Sequence, residues 1–345
     1  MPTHPSKAAT ATLSLQTQRL PPRVVPLSLA LLDPRLRREP PVYVTSNSER
    51  LRIAEALRPF SQKSFAPDPG SLMEYCRFAR CVLPHQLPDF MGKVVAGHHA
   101  TNPVGFVLFR NLPVDTLCGN AKGTAVAELL QMAVAANLGH PYNYHSRKTR
   151  ALIDNMIPRR GDRTKQVGTN AIDLTWHTED AHLELSCDTF ILFCLRGDPR
   201  ALTLVSCLDE AGLSPEVRQE LGRPGYRIAA DASVDSSPAH AMASVLHHSR
   251  DGQRLRFDPL FTVASSEAGE RALLGLHEHL VSRAIGIALE PGDMLVVDNR
   301  RTAHARTAFA PKYDGTDRWV QRLLVLQQPV PAEVADPQNP YMLRM

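Results

Sequence analysis

Apolar residues recur at helical spacing through the first part of the chain. In residues 46–57, Leu51, Ala54 and Leu57 fall on one face, behind serine and asparagine residues that can cap a helix. A broader apolar face over residues 124–138 predicts a strong helix that ends at Gly139. The same spacing predicts helices over residues 71–81, 89–96 and 268–283.

Short β-rich runs dominate from about residue 171 onward. Residues 243–257 predict a hairpin that turns at Asp251-Gly252. Residues 287–297 hold a Pro-Gly-Asp turn and the strand that leads to His304, and residues 311–326 hold an Asp-Gly turn followed by a strand. The apolar runs typical of strands are residues 105–112, 190–195 and 202–207.

Many short strands with a few helices predict a mixed α/β fold that is mainly β. We expect a double-stranded β-helix (jelly roll) core with flanking helices, because two facing sheets form a dry pocket. Residues 1–40 are predicted to be a flexible N-terminal arm. Residues 41–345 are then a single domain, with a helical part over 41–140 and the jelly-roll core over about 100–328. The polar connection 146–170 is long enough to indicate a functional lid.

Composition fits a globular enzyme domain. Of 345 residues, 43% are hydrophobic and 21% are charged, and the net charge of +4 is too small to indicate nucleic acid. The basic stretch from Arg147 to Lys165 is therefore interpreted as a solvated loop or lid edge. The six cysteines form no Cys-x-x-Cys pair, so we expect reduced thiols and a cytoplasmic protein. No apolar run approaches the length of a membrane span, and we expect neither secretion nor import.

The segment His177-Thr178-Glu179 and the distant His304 indicate a metal site. On an extended strand, residues i and i+2 point the same way, so His177 and Glu179 can reach one ion while Thr178 faces elsewhere. Two imidazoles and one carboxylate leave the opposite positions of the metal open, which is typical of non-haem Fe(II) that activates O2. Taken alone, His-x-Glu more often means a satisfied histidine beside a solvated glutamate. We interpret the nearby His182 as a neighbour of this site rather than a fourth ligand.

The last predicted strand carries two arginines on an otherwise aliphatic face. Alternation places Arg318 and Arg322 together, while Trp319 and Gln321 take the other face. Buried guanidinium groups need anionic or polar partners, and arginine can hold a carboxylate with two hydrogen bonds. The alternative is a pair of surface arginines on an edge strand, which the surrounding run of leucine and valine disfavours.

Together these motifs resemble those of the clavaminate synthase-like Fe(II)/2-oxoglutarate oxygenases, whose relatives include bacterial asparagine and arginine β-hydroxylases. They occur in family order and cover roughly residues 90–328. The motifs are Val107-Leu108-Phe109-Arg110-Asn111-Leu112-Pro113, His177-Thr178-Glu179-Asp180-Ala181-His182, Leu192-Phe193-Cys194-Leu195-Arg196-Gly197-Asp198-Pro199, Pro291-Gly292-Asp293-Met294 through His304, and Asp314-Gly315-Thr316-Asp317-Arg318-Trp319-Val320-Gln321-Arg322.

The resemblance implies roles for the residues that would hold iron and the cosubstrate. His177, Glu179 and His304 match the iron triad of the family. Arg318 matches the arginine that binds the distal carboxylate of 2-oxoglutarate, and Thr203 matches a threonine that assists at that carboxylate.

The resemblance also implies substrate-binding positions, with two departures. Arg322 matches the arginine that meets the substrate's carboxylate or carbonyl, and Asp258 matches an acid that contacts the substrate side chain in the arginine hydroxylases. Ser146 begins the Ser-Arg-Lys that replaces a Gln-Glu-Lys, whose glutamine helps to hold a free α-amino acid. Leu260 replaces a second acid. Both changes favour a less charged, amino-acid-derived substrate, such as a peptide or cyclic dipeptide.

The resemblance implies an enzyme that uses Fe(II), 2-oxoglutarate and O2 to hydroxylate an unactivated C–H bond of an amino acid or a derivative, with release of succinate and CO2. Desaturation, epoxidation and cyclisation stay open as other outcomes at the same site. Two other classes also stay open, namely a Zn or Mn hydrolase or isomerase on a cupin-like barrel, which would not need Arg318, and a non-catalytic binding protein. The expected partner is a small molecule, neither nucleic acid nor membrane, and the oligomeric state is left open.

Overall fold

The computed structural model describes residues 41–61, 69–97, 102–115, 124–147, 151–231, 233–234, 242–249 and 252–344. The predicted N-terminal arm, residues 1–40, lies outside these ranges. The strands form one eight-stranded sheet, one four-stranded sheet and two two-stranded pairs, and helices accompany them. The predicted mixed α/β fold with mainly β-structure is therefore confirmed.

A helix covers each stretch for which the sequence predicts one. The face predicted over residues 46–57 is only partly right, because Leu51 is exposed, whereas Ile53 and Leu57 are buried. The described helices are α1 (Asn47–Ser61), α2 (Pro69–Cys81), α3 (Leu83–Gln86), α4 (Pro88–Gly97), α5 (Ala125–Leu138), α6 (Pro215–Leu221) and α7 (Glu267–Ser282). The hydroxyl of Ser46 accepts a hydrogen bond from the Glu49 amide at 3.2 Å, which caps the start of α1. α5 is buried along most of its length and ends at Gly139, as predicted.

The described strands are β1 (Val42–Val44), β2 (Phe106–Arg110), β3 (His140–Tyr144), β4 (Ile153–Met156), β5 (Leu174–His177), β6 (Thr189–Arg196), β7 (Leu202–Cys207), β8 (Tyr226–Ile228), β9 (Leu246–Ser249), β10 (Gly252–Leu255), β11 (Thr262–Ala264), β12 (Ile285–Ala288), β13 (Met294–Asp298), β14 (Thr302–Arg306), β15 (Trp319–Leu326) and β16 (Met342–Leu343). The predicted hairpin is present as β9 and β10, while Asp251 of its turn lies outside the described residues.

The larger sheet has the strand order β1-β2-β13-β6-β15-β3-β16, and β4 also pairs with β15. The smaller sheet has the order β12-β7-β14-β5, and all its pairings are antiparallel. β8 pairs with β11, and β9 pairs with β10, outside these two sheets.

Alternating side chains of β6 divide between two cores. Ile191 and Phe193 pack in a core with the N-terminal helices, whereas Phe190 and Leu192 pack in a core with Val205 of β7. The N-terminal helices therefore cover one face of the larger sheet, and the smaller sheet packs against the other face. The apolar side of α7 packs with residues of the smaller sheet in a third core. The chain thus forms four layers, with a space between the two sheets.

One prediction about a connection is wrong. The stretch 146–170, predicted as a polar connection, contains β4, which places Asp154 opposite Arg322 of β15. The strand predicted to lead to His304 is present as β13, which ends at Asp298, where the chain turns into β14 of the other sheet. The sequence pattern carries no signal for β4, which has only four residues. It also does not show that the chain changes sheets at the short turn after Asp298.

None of the described helices is long and apolar enough to cross a lipid bilayer. The cysteines within the described ranges are free thiols, and Cys118 lies outside these ranges.

Candidate active site

His177, Glu179 and His304 converge from two neighbouring strands. His177 ends β5, His304 lies in the middle of β14, and the antiparallel register places the two residues directly opposite each other. The centroids of the two rings are 4.1 Å apart. One candidate ligand atom from each of the three side chains lies within 4.8 Å of the other two. These side chains can therefore reach one metal ion together.

A turn and a buried asparagine fix the position of Glu179. Asp180 has a φ of 54°, in the left-handed region, and ends the extended segment directly after Glu179. Asn299 accepts a hydrogen bond from the Glu179 amide at 2.8 Å and donates one to the Glu179 carbonyl at 3.2 Å. The hydroxyl of Thr178 accepts a hydrogen bond from the Phe257 amide at 3.1 Å, so this side chain is bonded to the backbone of a neighbouring segment.

The protonation states of this group suit metal binding. Burial, together with the nearby His304, lowers the pKa of His177 and favours its neutral form. Its Nδ1 donates to the Thr175 carbonyl at 2.7 Å, which leaves the lone pair on Nε2. Burial opposes ionisation of Glu179, but Arg322 and His304 outweigh burial and hold the pKa of this carboxyl well below its ordinary value. Neutral imidazole and ionised carboxylate are the forms that bind metal.

The three side chains open into a cavity of about 80 Å³ between the sheets. The other charged residues that line it are Arg147, Asp180, Asp231, Asp258, Arg306, Arg318 and Arg322. His182 also lines the cavity. A ligand that enters this space therefore meets fixed charges of both signs.

Arg318 and Thr203 line this cavity and are both buried. The Thr203 hydroxyl has no hydrogen-bond partner within the described ranges. Burial lowers the pKa of Arg318, although the nearby Cys194 and Asp198 oppose that effect. Burial and the charge of Arg318 also lower the pKa of Arg306 to about 9. Two buried guanidinium groups so close together favour an anionic ligand.

Arg322 is largely engaged with protein groups. Its Nη1 donates to Oε2 of Glu179 at 2.7 Å, and its Nη2 donates to Oδ2 of Asp154 at 2.8 Å. Its Nε has no partner within the described part of the chain. The other oxygen of Glu179, Oε1, lies 3.4 Å from Nε2 of His304. Arg322 therefore holds the carboxylate so that Oε1 faces the histidines.

Asp258 lines the cavity within electrostatic reach of His177. Burial raises the pKa of Asp258 to about 7; the nearby His177 opposes this rise and the nearby Asp231 adds to it. Its Oδ1 is buried without a hydrogen-bond partner among the described residues. Sequence reasoning missed Asp231, because an acid in an irregular loop carries no pattern.

Ser146 does not line the cavity, whereas its neighbour Arg147 does. Arg147 is only 4% exposed, and its Nη2 donates to both oxygens of Asp180 at 2.5 and 2.7 Å. The interpretation of Arg147 as part of a solvated basic stretch is therefore wrong. The later basic residues of the stretch are exposed as predicted, namely Arg159, Arg160, Arg163 and Lys165.

Comparison with known proteins identifies the kind of enzyme. The family described as taurine catabolism dioxygenase TauD, TfdA family matches residues 222–324. L-asparagine oxygenase of Streptomyces coelicolor is 32% identical over 298 residues, which are 82% of this chain and 88% of that protein. Clavaminate synthase 2 of Streptomyces clavuligerus is 29% identical over 239 residues, covering 64% and 74% of the two chains.

A solved structure extends the likeness to the cofactors. The non-haem iron oxygenase OrfP in complex with Fe and α-ketoglutaric acid superimposes with a TM-score of 0.75 at 28% identity, covering 88% of this chain and 100% of that chain. The donor set of two imidazoles and one carboxylate fits Fe(II). These likenesses decide against a zinc or manganese hydrolase and against a non-catalytic binding protein. The chain belongs to the clavaminate synthase-like family of Fe(II)/2-oxoglutarate-dependent oxygenases, enzymes that use iron, 2-oxoglutarate and O2.

Proposed function

We propose that this enzyme hydroxylates an unactivated C–H bond of an amino acid or an amino-acid-derived compound, with conversion of 2-oxoglutarate to succinate and CO2. The observation that carries the proposal is the convergence of His177, Glu179 and His304 in a cavity that also contains Arg318. The asparagine-oxidising relative supports an amino-acid scaffold for the substrate. Desaturation, epoxidation and cyclisation are alternative outcomes at the same site.

His177, Glu179 and His304 would hold the iron. Nε2 of His177 is available because Nδ1 is bound to the Thr175 carbonyl. Oε1 of Glu179 is available because Arg322 holds Oε2. When bound, iron supplies the activation of O2 that allows an unactivated C–H bond to react. The chain's own contribution is to hold three ligands on one side and leave the cavity side open.

Arg318 would hold the distal carboxylate of 2-oxoglutarate, with help from Thr203. The positive charge of Arg318 is reinforced by Arg306, and the Thr203 hydroxyl has a free donor within the described structure. A dianion in this position would compensate charges that the described residues leave uncompensated. Burial of these groups keeps water away from the bound carboxylate.

The substrate would lie between Asp258 and the Arg322 side of the cavity. Asp258 can meet a polar or cationic group, and the free Nε of Arg322 can meet a carbonyl or carboxylate. Ser146 lies outside the cavity lining, so any contact between Ser146 and substrate would be indirect. Asp258 and the buried charged groups near Glu179 would then orient the substrate.

We extend the proposal to the architecture. The two facing sheets would form a double-stranded β-helix over about residues 100–328, with residues 41–345 as one domain and residues 41–140 as its helical part. The face-to-face packing around the cavity supports this assignment. A cytoplasmic location stays a prediction from the sequence.

The proposal is tested by adding Fe(II) and then 2-oxoglutarate to the apo-protein without oxygen. We expect the weak visible absorption band of the iron–2-oxoglutarate chelate, followed by Fe(II)-dependent succinate formation when oxygen is admitted. His177→Ala should lose both signals. His182→Ala is the matched control, because His182 lines the same cavity but lies outside the triad, and it should keep the band. Bound iron without a band in the unmodified protein would refute the proposal.

A further inference from the structure

Arg147 brings a second buried guanidinium to the substrate side of the cavity. It follows β3, its side chain is almost fully buried, and both oxygens of Asp180 accept hydrogen bonds from its Nη2. Its Nε is buried without a hydrogen-bond partner among the described residues. Arg147 thus has one donor without a partner in the described part of the chain, and its side chain lines the cavity.

The guanidinium groups of Arg147 and Arg322 share the same carboxylates. Oδ2 of Asp154 lies 2.8 Å from Arg322 Nη2 and 3.9 Å from Arg147 Nη1. Oε2 of Glu179 lies 2.7 Å from Arg322 Nη1 and 4.0 Å from Arg147 Nη2. The carboxylates on this side of the cavity are therefore already paired with arginines, and both arginines have an unused Nε.

This arrangement discriminates between the two ionic groups of an amino acid. A free α-ammonium beside Glu179 would compete with two guanidiniums for Asp180 and Glu179, and it would meet two like charges at low dielectric constant. A carbonyl or carboxylate oxygen would instead accept from the unused Nε donors. Asp258, in reach of His177, remains available for an N–H group of the substrate.

We propose that Arg147 determines substrate specificity by rejecting a free α-ammonium group and binding an acyl oxygen, so that the enzyme acts on amino-acid units whose α-nitrogen is acylated. Resting on the proposed function, this inference names the substrate class as amides, such as N-acyl amino acids and peptides. Arg147 touches the substrate directly, while Asp180 orients the guanidinium.

The test compares the twenty L-amino acids with their N-acetyl derivatives as ligands, by thermal shift of the full-length protein with Fe(II) and 2-oxoglutarate under nitrogen. At least one N-acetyl amino acid should raise the Tm, and its free counterpart should raise the Tm less. Arg147→Gln should weaken binding of that N-acetyl ligand by roughly 30-fold or more. The same substitution should also reduce the difference in Tm shift between the N-acetyl amino acid and its free counterpart.

Arg147→Gln leaves Asp180 without its partner, so the Arg147→Gln/Asp180→Asn double variant keeps the test valid if the single variant fails to fold. Arg159→Gln is the control for loss of a positive charge, since Arg159 is exposed, and it should bind as the unmodified protein does. Stronger stabilisation by a free amino acid than by its N-acetyl form, or stabilisation by neither set, would overturn the inference. The chelate band, read on the same samples, reports separately on the proposed function.

Discussion

Arg322 donates a hydrogen bond of 2.7 Å to Oε2 of Glu179, the oxygen next to the one that faces His304. Replacement of Arg322 by glutamine should lower Fe(II) affinity by about 10- to 100-fold, because residues that orient metal ligands have effects of that size. A competition titration against a chromogenic chelator measures this affinity. Unchanged affinity in a folded Arg322→Gln variant would contradict the positioning role, and Arg318→Gln is the matched control that should bind iron normally.

Arg318 should govern the requirement for 2-oxoglutarate and have little effect on iron. Loss of a buried charged contact to the distal carboxylate should raise the 2-oxoglutarate concentration for half-maximal succinate release by about 30-fold or more in Arg318→Ala. Arg318→Lys keeps the charge but loses the forked geometry of the guanidinium. Its 2-oxoglutarate requirement should therefore lie between those of the unmodified enzyme and Arg318→Ala. An Arg318→Ala enzyme with an unchanged cosubstrate requirement would rule out this assignment.

Asn299 should stabilise the fold through Glu179. Its side chain bonds the amide and the carbonyl of Glu179 and the carbonyl of Cys187, and all these groups are buried. Asn299→Ala leaves them unpaired, so the free energy of unfolding should fall by about 2–4 kcal/mol. Urea denaturation measures the loss. Gln338→Ala, at an exposed position, should change stability by less than about 0.5 kcal/mol, and an equal effect of both changes would count against the bond network.

Asp293 should make stability depend on pH. Burial raises its pKa to about 6 in the folded protein, above the ordinary value of 3.8, so the folded state binds the proton more tightly. Tighter proton binding by Asp293 stabilises the folded protein below about pH 4, and this stabilisation is lost as the pH rises through 6. Asp293→Asn keeps an acceptor for the Glu290 amide but cannot ionise. The variant should therefore gain stability relative to the unmodified protein between pH 4 and pH 7, and a pH-independent difference would refute the assignment.

The part of the site that depends on local spacing could be predicted from sequence. His177 and Glu179 stand two positions apart, and that spacing alone brings their side chains to one side of an extended chain. The strand Leu202–Cys207 matches its predicted bounds, since an unbroken apolar run has clear ends. His304 carries no such local pattern, so the sequence supports it as the third ligand mainly through its match to the family motif.

The remainder depends on contacts between distant segments. Arg147 is buried because Asp180 supplies the opposite charge, and a run of basic residues gives no sign of that partner. Asp154 bonds Arg322 only because β4 pairs with β15. The turn after Asp298 passes the chain between sheets, a change that hydrophobic alternation along one strand does not encode.

The register of β5 and β14 gives the proposed metal site a mechanical consequence. β5 stands last in the strand order of the smaller sheet, and His177 at its end faces His304 of β14. An ion held by both histidines acts as a cross-link between segments that are far apart in sequence, and it closes a long loop of chain. Release of the metal should therefore let the edge strand β5 unfold locally before the rest of the sheet. Metal coordination would thus serve both oxygen activation and the stability of this edge strand.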